Sequence, residues 1–594
     1  MTNILLRLWV LRRPLILILT PLVHLPVVFL LPPKEGRCLY IILIMATFWC
    51  TEALPLAITA LLPISLFPLF GILPSSMTCP MYFVDTNAFF LGGLIMGVTI
   101  EDWKLHHRIA LNLLRFLGVN PFMIILGLML TASLLSMWLS NTATTTMMLP
   151  TATAILKQLQ GDDDEKQQLG TTNTEEPQNN ESAAEEINDN QETADERKNE
   201  VQELEIEGPA QPTERDMVYD KDFAKGILLS IPYAATIGGI ATLTGTPPNL
   251  ILDGQVKRAF PNLDDLNFVS WFLFAFPVFL VFLVLTWLWI SILYGGLNLR
   301  SLKKKRKNKE AEARMKAAIR SEYAQLGPMT FAEVAVTIFF SLFVILLFTR
   351  DPKFVPGWAQ GFQPKHITDA VVAITLIILM FVFPSRKPSF KWKTNPEEPI
   401  TPNQPLLTWR KVQHKIPWNV ILLMGGGFAI AKAIKESGLS NWIGTHLRPL
   451  ESISPSIAVL IICLVIASFT EFSSNTASSV IFLPILAELA VRGKQHPLYL
   501  MVPGTVSCSF AFMLPVATAP NAIVFSTGHL RVKDMVKAGL MLNILGIILV
   551  NIAINTWGHL IFKFSTFPKW AGTYINNTNR AAMSVNLVLM TTSD

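Results

Sequence analysis

Between Leu134 and Pro150 the chain reads LLSMWLSNTATTTMMLP, an uncharged apolar stretch interrupted by Ser140-Asn141-Thr142. The phrase returns between Phe472 and Pro484 as FSSNTASSVIFLP, centred on Ser474-Asn475-Thr476. Hydrocarbon offers no partner for an open N–H or C=O, so a polar break at membrane depth must line a cavity or lie inside protein. One copy would be explained equally well by Ser, Thr and Asn bonding between membrane helices. Two copies are the sign of a binding site shared by two internal repeats.

Composition places both phrases in a membrane. Of 594 residues, 51% are hydrophobic and 15% charged, against about 25% charged in soluble domains. Apolar runs of roughly 20 residues recur, long enough to cross a ~30 Å hydrocarbon core as helices. The expected class is an all-α polytopic membrane protein whose first partner is the lipid bilayer. Spans are expected at 14–32, 38–56, 57–75, 84–102, 224–252, 268–296, 330–349, 367–385, 416–436, 497–526 and 535–557. The first follows Arg12-Arg13 without a small-residue cleavage site and reads as a span rather than a removed signal. The apolar stretches 120–158 and 455–492 hold the two breaks, and their polar tips favour re-entrant hairpins over four extra crossings.

About eleven transmembrane helices put the termini on opposite sides. Lys104/His106/His107/Arg108, Lys303 to Lys307, Arg386/Lys387/Lys391/Lys393 and Arg531/Lys533 then share the side of Arg7, Arg12 and Arg13. Basic loops mark the cytoplasm, so the amino terminus is expected inside and the carboxyl terminus outside. The net charge of +5 hides a segment of opposite sign, since Gly161 to Asp222 carries 21 acids against five basic residues. Almost without aromatics, it cannot bury enough surface to order itself, and it reads as a disordered cytoplasmic insert. The expected organisation is 1–160 with scaffold helices and the first hairpin, 161–222 the insert, and 223–385 the first broken helix and the start of the second repeat. A cytoplasmic loop at 386–415, the second hairpin and broken helix in 416–557, and an extracellular tail at 558–594 complete it. The five cysteines lack metal or redox spacing. Only Cys38 and Cys79 fall in expected loops, where one disulfide could form.

After each hairpin comes a break ending in Pro-Asn: Thr244-Gly245-Thr246-Pro247-Pro248-Asn249 and Ala517-Thr518-Ala519-Pro520-Asn521. The separation of Asn141 from Asn249 exceeds that of Asn475 from Asn521 by the length of the acidic segment. With the insert set aside the halves are in register, and the hairpins enter from opposite sides, which makes the repeats inverted. Paired broken helices in two halves point to a transporter site.

Free carbonyls, hydroxyls and amide oxygens at such breaks suit a hard cation, and without a carboxylate they suit sodium better than calcium or magnesium. Free N–H groups at half-helix amino ends suit anions. The breaks contain no Lys, Arg or His, so a bound dianion needs cations brought with it, and that is the physical basis of symport. Glu52 and Glu471 are expensive charges near membrane depth. Glu471 either supports the second sodium loop or pairs with a basic neighbour. Lys432, Lys435 and Glu436 read as the snorkelling end of a helix. No nucleophile with its base and no metal cluster falls at these sites, so neither an enzyme nor a nucleic-acid partner is expected. A channel or receptor is the alternative from another class, told apart by currents that outlast substrate or by indifference to sodium.

The pieces WCTEALPL at Trp49 to Leu56, SMWLSNTATTTMMLP, GGIATLTGTPPNL and SFAFMLPVATAPNAIVFSTGH resemble the divalent-anion/sodium symporters, solute carrier family 13, over about Leu6 to Trp570. LPPKEGRC at Leu31 to Cys38 and FTRDPKF at Phe348 to Phe354 look most like its dicarboxylate branch. Thr476 agrees, since citrate-preferring relatives tend to carry Val there and sulfate carriers Pro. The resemblance implies import of C4–C5 dicarboxylates across the plasma membrane, with citrate or sulfate as the alternative cargo. It implies substrate contacts at Asn141, Thr142, Thr246, Asn475, Thr476 and Thr518. It implies one sodium near Ser136, Ser140, Asn141 and Gly245, and another near Thr470, Ser473, Asn475 and Ala517. A homodimer with elevator-type motion is implied as well. Two departures stand out. Ala519 replaces the usual Pro, which could loosen the second broken helix, and Ala433 replaces a common Gly.

The topology has a direct test. Asn576-Asn577-Thr578 and Asn180-Glu181-Ser182 are both glycosylation sequons, expected on opposite sides of the membrane. Glycosidase treatment should shift the mobility of the wild type but not of Asn576→Gln. A glycan mapped to Asn180 would overturn the loop assignment.

Overall fold

The computed structural model describes residues 11–117, 121–160, 214–294, 309–387, 404–439, 442 and 453–564. Most of the expected insert, part of the 386–415 loop, and the tail with Asn576 lie outside these residues. Among the described residues the regular structure is helical, with one isolated bridge between Pro384 and Pro405.

Among the described residues, eight helical stretches are long and apolar enough to cross a membrane: Arg12–Leu30, Ser75–Asp102, Asp222–Ala241, Phe268–Leu293, Phe331–Arg350, Trp418–Glu436, Asn475–Arg492 and Val532–Ile561. Leu56–Leu69 and Asp369–Val382 are shorter apolar helices, and Pro33–Thr51 takes the place of the expected second span. The expected span 224–252 is two helices, Glu214–Ala241 and Pro247–Ala259. The expected span 497–526 is Pro497–Ser507 and Ala519–Phe525, separated by the non-helical 508–518. Proline has no N–H and a fixed φ, so it starts a helix where it could not continue one. Pro247 and Pro520 do so here. Pro520 and the Thr518 cap hold the second restart, with Ala519 as its first residue.

The Ser-Asn-Thr stretches are helix pairs joined by short turns, Pro121–Ser136 with Asn141–Gln160 and Pro455–Thr470 with Asn475–Arg492. Glu214 onward, expected within the acidic insert, belongs to the first broken helix. Cys38 lies buried inside Pro33–Thr51 rather than in a loop, and both Cys38 and Cys79 are free thiols, so the disulfide is not formed.

The first broken helix sits deepest. In its Asp222–Ala241 stretch, 94% of the residues in the most apolar 18-residue window are buried, wrapped by Pro121–Ser136, Asn141–Gln160 and Phe268–Leu293. Lipid gives no hydrophobic drive for helices to associate, so contact depends on how closely backbones approach. Gly238 provides that approach, because a Cβ there would lie 2.2 Å from the Ser133 carbonyl oxygen. The halves interlock crosswise. Pro247–Ala259 packs on Asn475–Arg492, and Ala519–Phe525 packs on Asn141–Gln160.

Polar bonds gather the helix ends into two sets. Lys415 reaches Glu101 at 2.9 Å and Asp102 at 2.7 Å, Trp103 donates to the Leu406 carbonyl, and Tyr294 and Lys225 both meet Asp534. In the other set Asn267 donates to the Asp351 carbonyl, Arg350 pairs with Asp369 at 2.6 Å, and Thr368 donates to Asp85. The first set joins segments assigned to one face by their basic residues, and the second joins the segments between them.

Gly238→Ala should push the first helix pair off the broken helix. Overpacking of this kind costs about 1–3 kcal/mol. The expected outcome is a lower melting temperature of the detergent-purified protein in a size-exclusion thermal assay. A variant as stable as wild type would mean that the two backbones are not this close.

Candidate functional site

Each break is closed by an asparagine from the helix that restarts after it. Asn249 Nδ2 donates to the carbonyls of Gly239 at 3.2 Å and Thr242 at 2.8 Å. Asn521 Nδ2 donates to those of Ala511 and Leu514, both at 3.0 Å. The sequence offsets are identical in the two halves. A side-chain amide thereby takes the place of the helical N–H groups that the break removed.

The Ser-Asn-Thr turns correspond bond for bond as well. Ser136 Oγ donates to Asn141 Oδ1 at 2.6 Å, and Thr470 Oγ1 lies 3.0 Å from Asn475 Oδ1. Ser140 Oγ accepts from the Ala143 N–H and Ser474 Oγ from the Ala477 N–H, each capping the helix that its asparagine begins. A serine hydroxyl before a helix satisfies an otherwise open donor.

Every residue expected at the site except Ser136 and Thr470 lines one cavity of about 840 Å³. Those two are fully buried behind the asparagines whose oxygens they meet. Thr142 is exposed and Thr476 nearly buried, so the matched threonines meet the cavity unequally. Among the helices that begin at the cavity wall, four start from a Ser-Asn-Thr turn or a break: Asn141–Gln160, Pro247–Ala259, Asn475–Arg492 and the short Ala519–Phe525. Their open N–H ends favour an anion.

Oxygen atoms suited to a cation stand beside them. Around the first break the buried hydroxyls of Thr144 and Thr244 and the Asn249 amide oxygen have no hydrogen-bond partner, nor does Ser509 Oγ in the second. Sequence reasoning passed over these four. Thr244 and Asn249 were legible, since they belong to the same break as Gly245. Gly245 is required there, because an added Cβ would lie 2.5 Å from the Gly239 carbonyl oxygen.

The two carboxylates separate. Glu52 ends helix Pro33–Thr51 with φ +49 and is exposed at the cavity rim. Glu471 is buried, and its partners are N–H groups rather than a basic side chain. It accepts from the backbone of Phe512 and Met513 at 3.0 Å and Leu514 at 3.2 Å, and from Asn543 Nδ2 at 2.6 Å. The equivalent place in the first half is Met137, whose carbonyl accepts from the Thr242 hydroxyl. The first break is five residues long and the second eleven. The longer one opens more N–H groups, and the carboxylate gathers three of them. Lys415, at the rim and absent from the expected site, is neutralised by Glu101 and Asp102.

Residues 6–564 match the family model for the sodium:sulfate symporter transmembrane region. The chain is 56% identical to the Na(+)/dicarboxylate cotransporter 3 of Homo sapiens, over 96% of each chain. It is 45% identical to the Na(+)/citrate cotransporter of Rattus norvegicus, over 94% of this chain and 97% of the relative. Solute carrier family 13 member 2 of Rattus norvegicus is 46% identical over 95% of both.

Glu471→Gln places an amide NH₂ among donors. Bonds to charged groups are worth about 1.5–3 kcal/mol each, so the variant should melt below wild type while exposed Glu436→Gln does not. Equal melting of Glu471→Gln and wild type would show that the loop amides are satisfied elsewhere.

Proposed function

Because the chain belongs to the sodium:sulfate symporter family, solute carrier family 13, we propose that it imports C4–C5 dicarboxylates, succinate and α-ketoglutarate among them, together with sodium across the plasma membrane. The observation that carries this reading is the convergence of four helix amino ends on one cavity whose breaks contain no basic residue. The N–H ends attract a dianion. They do not neutralise it, and that leaves a role for sodium ions held by the oxygen-rich turns at Asn141 and Asn475. Sodium and substrate then stabilise one another's binding, which is coupling in the thermodynamic sense. The relatives named for dicarboxylate share more identity with this chain than those named for citrate.

Substrate contacts are assigned to Asn141, Thr142, Thr246, Asn475, Thr476 and Thr518. One sodium is assigned to Ser136, Ser140, Asn141 and Gly245, and another to Thr470, Ser473, Asn475 and Ala517. The identical asparagine bonds in the two halves support inverted repeats with re-entrant hairpins. The cavity is rimmed by the turn at Glu52, by Lys415 and by Asn419. These segments lie on the basic face, so the structure is read as open to the cytoplasm, with the amino terminus inside and the carboxyl terminus outside. Elevator-like travel of the hairpins and broken helices past the other helices, in a homodimer, would carry the site across.

The test is radiolabelled succinate uptake in cells with and without sodium. Wild type should show sodium-dependent uptake, and Asn141→Ala and Asn475→Ala should lose it at normal surface expression. One lost bond to a charged group costs roughly 10- to 100-fold before any sodium ligand is removed. Uptake near wild-type level in either variant would sink the site assignment.

A further inference from the structure

Three helices that open the substrate cavity with their amino ends close a second one further along. Pro247–Ala259, Trp418–Ser437 and Asn475–Arg492 contribute Thr246, Asn419 and Asn475 to the first cavity. They contribute Arg258, Phe428 and Glu488 to the second, of about 400 Å³. The second cavity therefore lies toward the opposite face. Its wall is largely apolar, with Met81, Phe428 and Ile434, and it carries two buried donors without an acceptor. Gln255 is 3% exposed and its Nε2 has no partner, nor has Nη2 of Arg258.

The Arg258 guanidinium lies 4.2 Å above the Phe428 ring, its Nη1 meets the Met81 sulfur, and it forms no ion pair among the described residues. The nearby Glu488 is already bonded to Arg492 at 2.8 Å. Lys432, Lys435 and Glu436 stand at the mouth. A buried donor left open is costly, and a guanidinium most of all. Both donors need an acceptor that the described residues do not supply.

We propose that this second cavity binds a monoanionic amphiphile, a medium-chain carboxylate. Its carboxylate would meet Arg258 and Gln255, and its alkyl chain would lie along Met81, Phe428 and Ile434. A turn of the guanidinium on the Phe428 ring, away from the soft Met81 acceptor, would present Nη2 to the cavity. The volume is that of a small-ligand pocket. A further consequence rests on the transport reading above. The wall joins Pro247–Ala259, which carries part of the substrate site, to Trp418–Ser437, so an occupant ties the two together and slows transport without competing with substrate.

The probe is octanoate, with octanol as the uncharged control. Octanoate should raise the melting temperature of the delipidated full-length protein in neutral detergent, and octanol should not. Arg258→Gln should raise the half-effective octanoate concentration about 10-fold or more. Gln255→Glu, which offers Arg258 an internal partner and keeps the shape, should do the same while melting no lower than wild type. Octanoate stabilising all three proteins alike, or none, overturns the site. So does stabilisation by phosphatidylglycerol and not octanoate, which would make it a lipid headgroup site. In succinate uptake, octanoate should lower the maximal rate and leave KM unchanged. A raised KM alone would place octanoate in the dicarboxylate cavity and overturn the proposal. Absence of sodium-dependent uptake in wild type would count against the transport reading only, and the melting measurements would still decide the site.

Discussion

A chain that stops being helical inside hydrocarbon must find partners for the backbone groups it has released, and everything at the candidate site follows from how that is done. Asn249 and Asn521 answer for the carbonyls, Asn249 by bridging the last helical turn to the break and Asn521 by tying two carbonyls within its longer break. Once those carbonyls are held, Thr246 and Thr518 can remain extended and start new helices, with their amino ends at the cavity wall. The same asparagines leave other oxygens unused. An arrangement that satisfies most of the broken backbone and deliberately little more is open to both an ion and an anion.

The halves solve this problem differently where the breaks differ in length. In the first half helix runs to Ala241, and one threonine hydroxyl ties the break to the neighbouring turn at Met137. In the second the helix ends at Ser507, and the extra open N–H groups converge on Glu471. A carboxylate takes several such bonds at once, which no neutral side chain can match. Its burial is therefore consistent with the absence of a basic partner, and the asymmetry belongs to the scaffold of the site rather than to its substrate-facing surface.

The membrane class, the two breaks and the pairing of Asn141 with Asn475 were legible in the sequence because each is a local contradiction of its surroundings. A polar triplet in an apolar run, or a proline inside an expected span, is visible without any partner in view. The partners were not legible. Nothing near Glu471 in sequence announces the amides of 512–514 or Asn543, and nothing around Lys415 reveals that it reaches Glu101. Glu52 shows the same limit from the other side. Its neighbours in sequence say nothing of the cavity rim at which it ends a helix. Cys38 was placed in a loop because LPPKEGRC has the composition of one, yet Pro33 begins the helix that buries it.

The burial of Asp222–Ala241 has a consequence for how this chain can change over time. That helix has a mean hydropathy of 1.4 and is 94% buried, while Phe268–Leu293 reaches 2.6 at 56%. A helix with more contact to lipid can exchange one large apolar residue for another, since any of them dissolves equally well in acyl chains. The inner helix has no such freedom, because its glycines and small polar residues are fitted to particular neighbouring atoms. Variation among descendants of this sequence should therefore run against the usual intuition about membranes. The less hydrophobic helix is the more constrained, and drift gathers where the chain is greasiest.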